Sequence, residues 1–188
     1  MSYGHIIYFS KASLGTLVKI LTTIFVSLVF LLIAVALYFY VEGSLPLEAL
    51  VFILAAAIVI IVVPYMYSPK AYVLTHKGLV IERILNSILI PYSEIADASI
   101  IDFNEVSSAA DMELWGSNGY CGIFGQFKML KLGYANLYVT KISKCILVEK
   151  LNGEKYVISP EKPEVFFRII KSYTKLRRDI IYSNNTCR

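Results

Sequence analysis

The chain has 188 residues, 57% of them apolar and 17% charged, with a net charge of +4 and a mean hydropathy of +0.63. An ordinary soluble domain is about 45–50% apolar and ~25% charged, so the composition excludes a disordered chain, a collagen-like fibre and a disulfide-rich mini-protein. The apolar excess points to membrane-spanning segments.

Residues 1–19 form a short N-terminal segment carrying Lys11 and Lys19. From Ile20 to Val41, and again from Ala49 to Pro69, no charged residue occurs. At about 1.5 Å rise per residue each stretch reaches roughly 30 Å, the thickness of a bilayer's hydrocarbon core. The Leu, Ile, Val and Phe residues of the first stretch favour its insertion by roughly 6 kcal/mol. A pair of buried core helices is the competing reading, but the chain from 70 to 188 is too short to cover two helices that are apolar all round. The first stretch does not read as a signal peptide: it is too long for an h-region and no A-x-A cleavage site follows.

Glu42 to Glu48 join the two stretches, with Gly43, Ser44 and Pro46 as turn and helix-start residues. So short a link forces an antiparallel hairpin over residues 20–69. Lys11 and Lys19 precede it, Lys70, Lys77 and Arg83 follow it, and the link holds two glutamates. The positive-inside rule then places both termini in the cytoplasm of a multi-pass cell-membrane protein. Tyr38, Phe39 and Tyr40 are expected at the outer interface, and Tyr65 and Tyr67 at the inner one. Neither stretch holds an ionisable residue, which argues against a proton relay or an ion path built from this hairpin alone.

Residues 70–188 amount to one domain, expected in the cytoplasm. Seven acids and one base lie between Glu82 and Glu113, whereas thirteen bases and five acids lie between Lys128 and Arg188. Most of these bases read as a solvated surface. The cluster Lys171, Lys175, Arg177 and Arg178 stays open between that and contact with an anionic leaflet. The pattern predicts short strands: Ala71–Thr75 and Leu79–Leu85 around a turn at His76–Gly78, then Ile88–Pro91 and Ile95–Asp102. Tyr120–Met129 and Ala135–Thr140 flank Leu132-Gly133, and Cys145–Lys150 and Lys155–Ser159 flank Asn152-Gly153. Asn-Gly between apolar runs is a strong hairpin signal because both central residues need positive φ. A helix begins at Pro163 and runs to about Ile181, with Phe166, Ile169, Ile170, Tyr173, Leu176 and Ile180 as one apolar stripe. Its expected job is to cover the open end or face of the strands.

Strands closed by one C-terminal amphipathic helix make a pleckstrin-homology-like plan. The chain from Leu114 to Phe167 resembles the bacterial PH domain family often found behind two transmembrane helices. The resemblance lies in Trp115-Gly116-Ser117-Asn118-Gly119, Gly122-Ile123-Phe124-Gly125-Gln126-Phe127, Leu132-Gly133, Leu137-Tyr138-Val139-Thr140, Ile146-Leu147-Val148, Tyr156-Val157-Ile158-Ser159-Pro160 and Pro163-Glu164-Val165-Phe166. The fold it implies is α+β: a transmembrane α-hairpin, then a PH-like antiparallel β-barrel or sandwich capped by the C-terminal helix.

Catalytic chemistry has no visible residues. Gly116, Gly119, Gly122 and Gly125 recur every three positions, but no Gly-Lys-Ser/Thr follows, so they read as a hairpin in which backbone approaches backbone. His5 and His76 form no zinc pattern, Cys121, Cys145 and Cys187 show no C-x-x-C, and Cys121 and Cys145 read as small strand residues. Asp102, Glu105, Asp111 and Glu113 read as a solvated loop. No catalytic residue, metal or cofactor is expected, and the basic residues match no nucleic-acid motif. Trp115 is read as core, with an exposed partner anchor as the alternative.

The expected function is non-enzymatic: a binding or scaffolding surface for a protein partner or a second copy, held at the cytoplasmic membrane face. Two alternatives stand beside it. One is recognition of an anionic lipid headgroup by Lys128, Lys131, Lys141 and Lys144, and the other is a role as accessory subunit of a larger membrane complex.

Overall fold

Two helices dominate the first third of the molecule and leave their surface bare. A computed structural model describes residues 5–107 and 112–185. In it α1 spans Thr16–Val41 and α2 spans Leu47–Tyr67, each with a mean hydropathy of 2.9 and with only 6% and 11% of its most apolar window buried. Core helices of a soluble protein would be covered. These two are long and apolar enough to cross a bilayer. The link between them closes tightly: Gly43 takes φ +77°, and the amides of Ser44 and Leu45 both donate to the Phe39 carbonyl. The small Ala36 and Ala57 are buried, along with Leu50.

The hairpin is inserted between two neighbouring strands of one sheet. β1 (Ile6–Lys11) precedes α1, and β2 (Pro69–Thr75) follows α2. They pair antiparallel from Ile6 opposite Thr75 to Lys11 opposite Ala71. β3 (Gly78–Arg83) and β4 (Ser87–Pro91) continue this four-stranded sheet in the order β1-β2-β3-β4. The sheet that opens the region from residue 70 therefore has one more strand than that region supplies. Its first strand lies within residues 1–19, on the far side of the hairpin in sequence.

The second sheet has six strands. After a 3₁₀ turn at Tyr92–Glu94 come β5 (Ile95–Asp102), a short α3 (Phe103–Val106), β6 (Met112–Gly119), β7 (Gly122–Met129), β8 (Gly133–Val139), β9 (Lys144–Lys150) and β10 (Lys155–Ile158), in the order β5-β9-β10-β8-β7-β6. The hairpins expected at Leu132-Gly133 and Asn152-Gly153 are present. One pairing departs from the antiparallel pattern: β10 docks between β9 and β8 and runs parallel to β8, Val157 opposite Leu137. The two sheets form a PH-like sandwich and not a closed barrel.

α4 (Pro163–Asn185) closes the space between the sheets. Phe166 and Ile170 are fully buried among Tyr72, Leu74, Ile81 and Ile146. Tyr8 of β1 meets Phe166 edge-on at 5.8 Å, and Tyr92 stacks on Tyr173 at 5.5 Å. The expected stripe is shorter than its periodicity: Leu176 is 57% exposed, because the sandwich ends near Thr174. Ile180 and the guanidinium groups of Arg177 and Arg178 fall outside the described side chains. Lys171 and Lys175 are exposed.

A buried polar lock joins the sheets. The Tyr72 hydroxyl donates to the Tyr138 carbonyl at 2.7 Å, and Ser159 Oγ accepts from the Thr140 amide at 2.8 Å while lying 3.4 Å from the Tyr72 hydroxyl. Burial pushes the Tyr72 phenol up to about 12, so the lock stays neutral and acts through hydrogen bonds alone.

Phe166→Ala should cost about 3–5 kcal/mol through the cavity left in a site the sheets cannot collapse into. Tyr72→Phe should cost about 1–3 kcal/mol by leaving a buried carbonyl without its donor. Urea unfolding of the detergent-solubilised chain measures both. Equal midpoints for Phe166→Ala and the parent would contradict the placement of α4.

Candidate functional site at the membrane junction

A second contact, far from the β1–β2 ladder in sequence, holds the domain against the hairpin. It is the tip of the β6–β7 hairpin, and the repeated glycines explain how that tip is built. Gly116 pairs with Gly125 and Gly119 with Gly122, leaving Tyr120 and Cys121 as the turn. A Cβ on Gly125 would stand 2.0 Å from the Trp115 carbonyl oxygen, and one on Gly116 would stand 2.0 Å from that of Phe124. Both glycines have positive φ, so only this residue lets the strands approach so closely. The expected glycine-rich hairpin is present. Cys121 is corrected from strand to turn, with φ +58°, while Cys145 is a fully buried strand residue as expected.

The tip meets both membrane helices. The Tyr120 hydroxyl donates to the Ile61 carbonyl of α2 at 3.0 Å, and its ring lies 4.9 Å from that of Phe25 in α1. The Cys121 amide donates to Thr22 Oγ1 at 3.0 Å. Below the tip, a cavity of about 500 Å³ is walled by Leu21, Ile24, Leu28, Ile60, Pro64 and the glycine turn. Irregular backbone at membrane depth is tolerated where protein covers it and satisfies its polar groups, and these hydrogen bonds do so.

Trp115 does not enter the core. It is 57% exposed and meets Tyr67, at the end of α2, edge-on at 5.4 Å. With Tyr65 and Tyr120 these rings form an aromatic girdle where the hairpin leaves the domain, the setting in which amphipathic rings gather at a bilayer surface.

The four lysines singled out from the sequence are not gathered in one pocket. Lys128 and Lys131 lie at the Leu130–Leu132 turn, and Lys141 and Lys144 lie past the other end of β8. Seven residues of β8 put about 23 Å between the pairs. β7 starts beside Thr22 and runs away from the helices, so Lys128 and Lys131 are membrane-distal. Lys128 sits over the Tyr134 ring at 5.8 Å, and Lys131 donates to the Glu105 carbonyl. Lys144 pairs with Glu164 at 3.1 Å. Only Lys141 abuts the head of α1, against Gly15.

Three other lysines do converge, and in the sequence they serve only to orient the hairpin. Lys11, Lys19 and Lys70 line a cavity of about 340 Å³ together with Ser13, Ser68, Tyr65 and Cys121. Lys11 and Lys70 come together because β1 pairs with β2, where the Ala12 amide donates to the Lys70 carbonyl. Lys70 lies 3.7 Å from the centre of the Tyr65 ring. Nothing local in the sequence reports this convergence, since it follows from a strand pairing across the whole hairpin.

Of the acids singled out, Asp102 caps α3 through the Asn104 amide at 3.0 Å. Asp111 and Cys187 lie outside the described residues. His5 and His76 stand edge-on at 6.2 Å, and no cluster of metal-ligating side chains occurs among the described residues.

A two-sheet sandwich closed by one C-terminal helix defines a PH-like domain. The family model of the bacterial PH domain matches residues 70–173, more than half of the chain, and the chain belongs to that family. The match starts at Lys70, so it leaves out β1. No curated protein and no solved structure matches the chain at a significant level.

Gly125→Ala should remove ~3 kcal/mol or more, since the clash is with backbone and no side chain can yield. It should also loosen Trp115 from Tyr67. A thermal melt followed by Trp115 emission tests both, and a melt unchanged to within about 1 °C would contradict the close approach.

Proposed function

We propose that the protein is a non-enzymatic, membrane-anchored module that presents one end of its PH domain to a protein partner or to a second copy at the cytoplasmic face. The family supports a binding role at this coarse level. The observation that carries the finer reading is the absence of slack between anchor and domain. Four residues separate β1 from α1, one separates α2 from β2, and the β6–β7 tip adds a third attachment. A domain held in this way keeps one orientation and saves a partner the entropy of ordering a flexible tether.

The end held away from the hairpin carries the turns β7–β8 and β9–β10. There Leu130 is 73%, Leu151 71% and Tyr134 67% exposed. Apolar and aromatic side chains set among charged ones are the composition of interface anchors. Lys128 and Lys131 stand beside them, which favours a partner with an acidic rim. The basic residues on both flanks of the hairpin support a cytoplasmic placement.

Two measurements test this reading. Protease added to sealed right-side-out vesicles should spare the Leu151–Gly153 turn, and protease added to inverted vesicles should cut it. Cleavage in the right-side-out preparation would reverse the proposed orientation. A photo-crosslinking residue at Tyr134 or Leu151, used in native membranes, should give a discrete protein adduct, and one at exposed Leu89 of β4 should not. Equal labelling at all three positions, or none at the distal pair, would refute presentation by this end.

A further inference from the structure

We infer that the junction between the hairpin and the domain is a binding site for one anionic phospholipid, with its phosphate among Lys11, Lys19 and Lys70 and an acyl chain in the apolar cavity beneath the β6–β7 tip. The inference goes beyond partner presentation and rests on the membrane-spanning reading of α1 and α2.

Depth is the first argument. A hydrocarbon core about 30 Å thick takes some twenty helical residues. Counted back from Tyr40 along α1 it ends near Leu21, and counted forward from Leu47 along α2 it ends near Met66. The apolar cavity, with Leu21, Ile24, Leu28 and Ile60 in its walls, therefore lies within the membrane's inner half. The lysine cavity, at Lys19 and Lys70, lies just outside it, at the level of headgroups.

Proximity is the second. Residues adjacent in the chain line the two cavities: on α2, Pro64 lines one and Tyr65 the other, and at the turn, Tyr120 lines one and Cys121 the other. A molecule with an anionic head and an apolar tail matches both halves at once. The opening to the bilayer favours a lipid over a soluble phosphate, which would fill only the polar half.

Charge is the third. Three ammonium groups line the polar cavity with no carboxylate in its wall. Among the described residues none of the three forms an ion pair, whereas Lys144, Lys150 and Lys155 each find a carboxylate on the domain surface. Lys141 stands beside the same corner, against Gly15. Unpaired cations at headgroup depth attract an anionic lipid at about a fivefold gain per lysine.

Trp115 is the only tryptophan, and it sits at this junction against Tyr67. The test uses the full chain in lipid nanodiscs and measures quenching of Trp115 by acyl-chain-brominated phosphatidylglycerol and by brominated phosphatidylcholine at equal mole fraction. The anionic lipid should quench with at least about fivefold greater effect per mole, the gain from a single lysine. Lys11→Gln with Lys19→Gln and Lys70→Gln should remove most of that preference, Lys128→Gln with Lys131→Gln should keep it, and inorganic phosphate should not compete. Equal quenching by both lipids, a preference that survives the triple substitution, or displacement by phosphate alone would overturn the lipid site. Protection of Trp115 from both lipids would mean that a partner helix fills the groove, and would overturn it as well. Flotation of the same samples after carbonate extraction reads insertion separately: loss of flotation refutes the spanning hairpin, and retained flotation confines a failure to the lipid site.

Discussion

The pairing of β1 with β2 is the constraint on which the rest of the molecule depends. These strands are neighbours in space, yet α1 and α2 lie between them in sequence. Each ladder hydrogen bond contributes modestly, about 0.5–1.5 kcal/mol, but together they close a long loop whose two ends must then leave the domain side by side. A chain that returns to the strand beside its start must cross a bilayer an even number of times. The antiparallel hairpin and the shared side of its two open ends therefore follow from the sheet itself, independently of any charge rule. The same pairing brings Lys11 and Lys70 to one cavity and sets Tyr8 on Phe166, so it shapes both the junction and the core.

The β6–β7 tip converts this attachment into a fixed orientation. One ladder alone is a hinge line. A second contact, from the β6–β7 hairpin at the edge of the other sheet, opposes rotation about it. The chemistry of that contact explains an unusual stretch of sequence: glycines where strands must nearly touch, a tyrosine whose hydroxyl reaches a helix carbonyl, and Thr22 as the acceptor for a turn amide. Thr22, a polar residue near the start of an apolar span, thus has a structural partner from the domain.

Much of this was legible from the residues, and what was not has a common cause. Helix length and hydropathy, the Asn152-Gly153 and Gly133 turns, the Phe166–Ile170 stripe and the family likeness are all local signals, and the structure carries them. β1 was not legible, because Ile6 to Lys11 is a short run whose partner lies some sixty residues on. β6 was hidden by its glycines, which weaken any strand pattern. The insertion of β10 between β9 and β8 is likewise a tertiary choice: a hairpin signal fixes β9 against β10 and says nothing of the neighbour on the other edge. Trp115 was misplaced because a lone tryptophan beside strands reads as core, whereas here the strand faces the membrane junction. The four lysines nearest the glycine turn in sequence are split by the length of β8, while the three that meet are separated by the hairpin.

Hydrogen exchange of the full chain in nanodiscs, resolved at the level of short peptides, tests the central pairing most directly. The amides of Ile6–Lys11 that point into the ladder should exchange as slowly as those of β2, within the same cooperative unit, because the two strands share that ladder. Exchange of that segment at the rate of a free peptide, with β2 still protected by β3, would contradict the account.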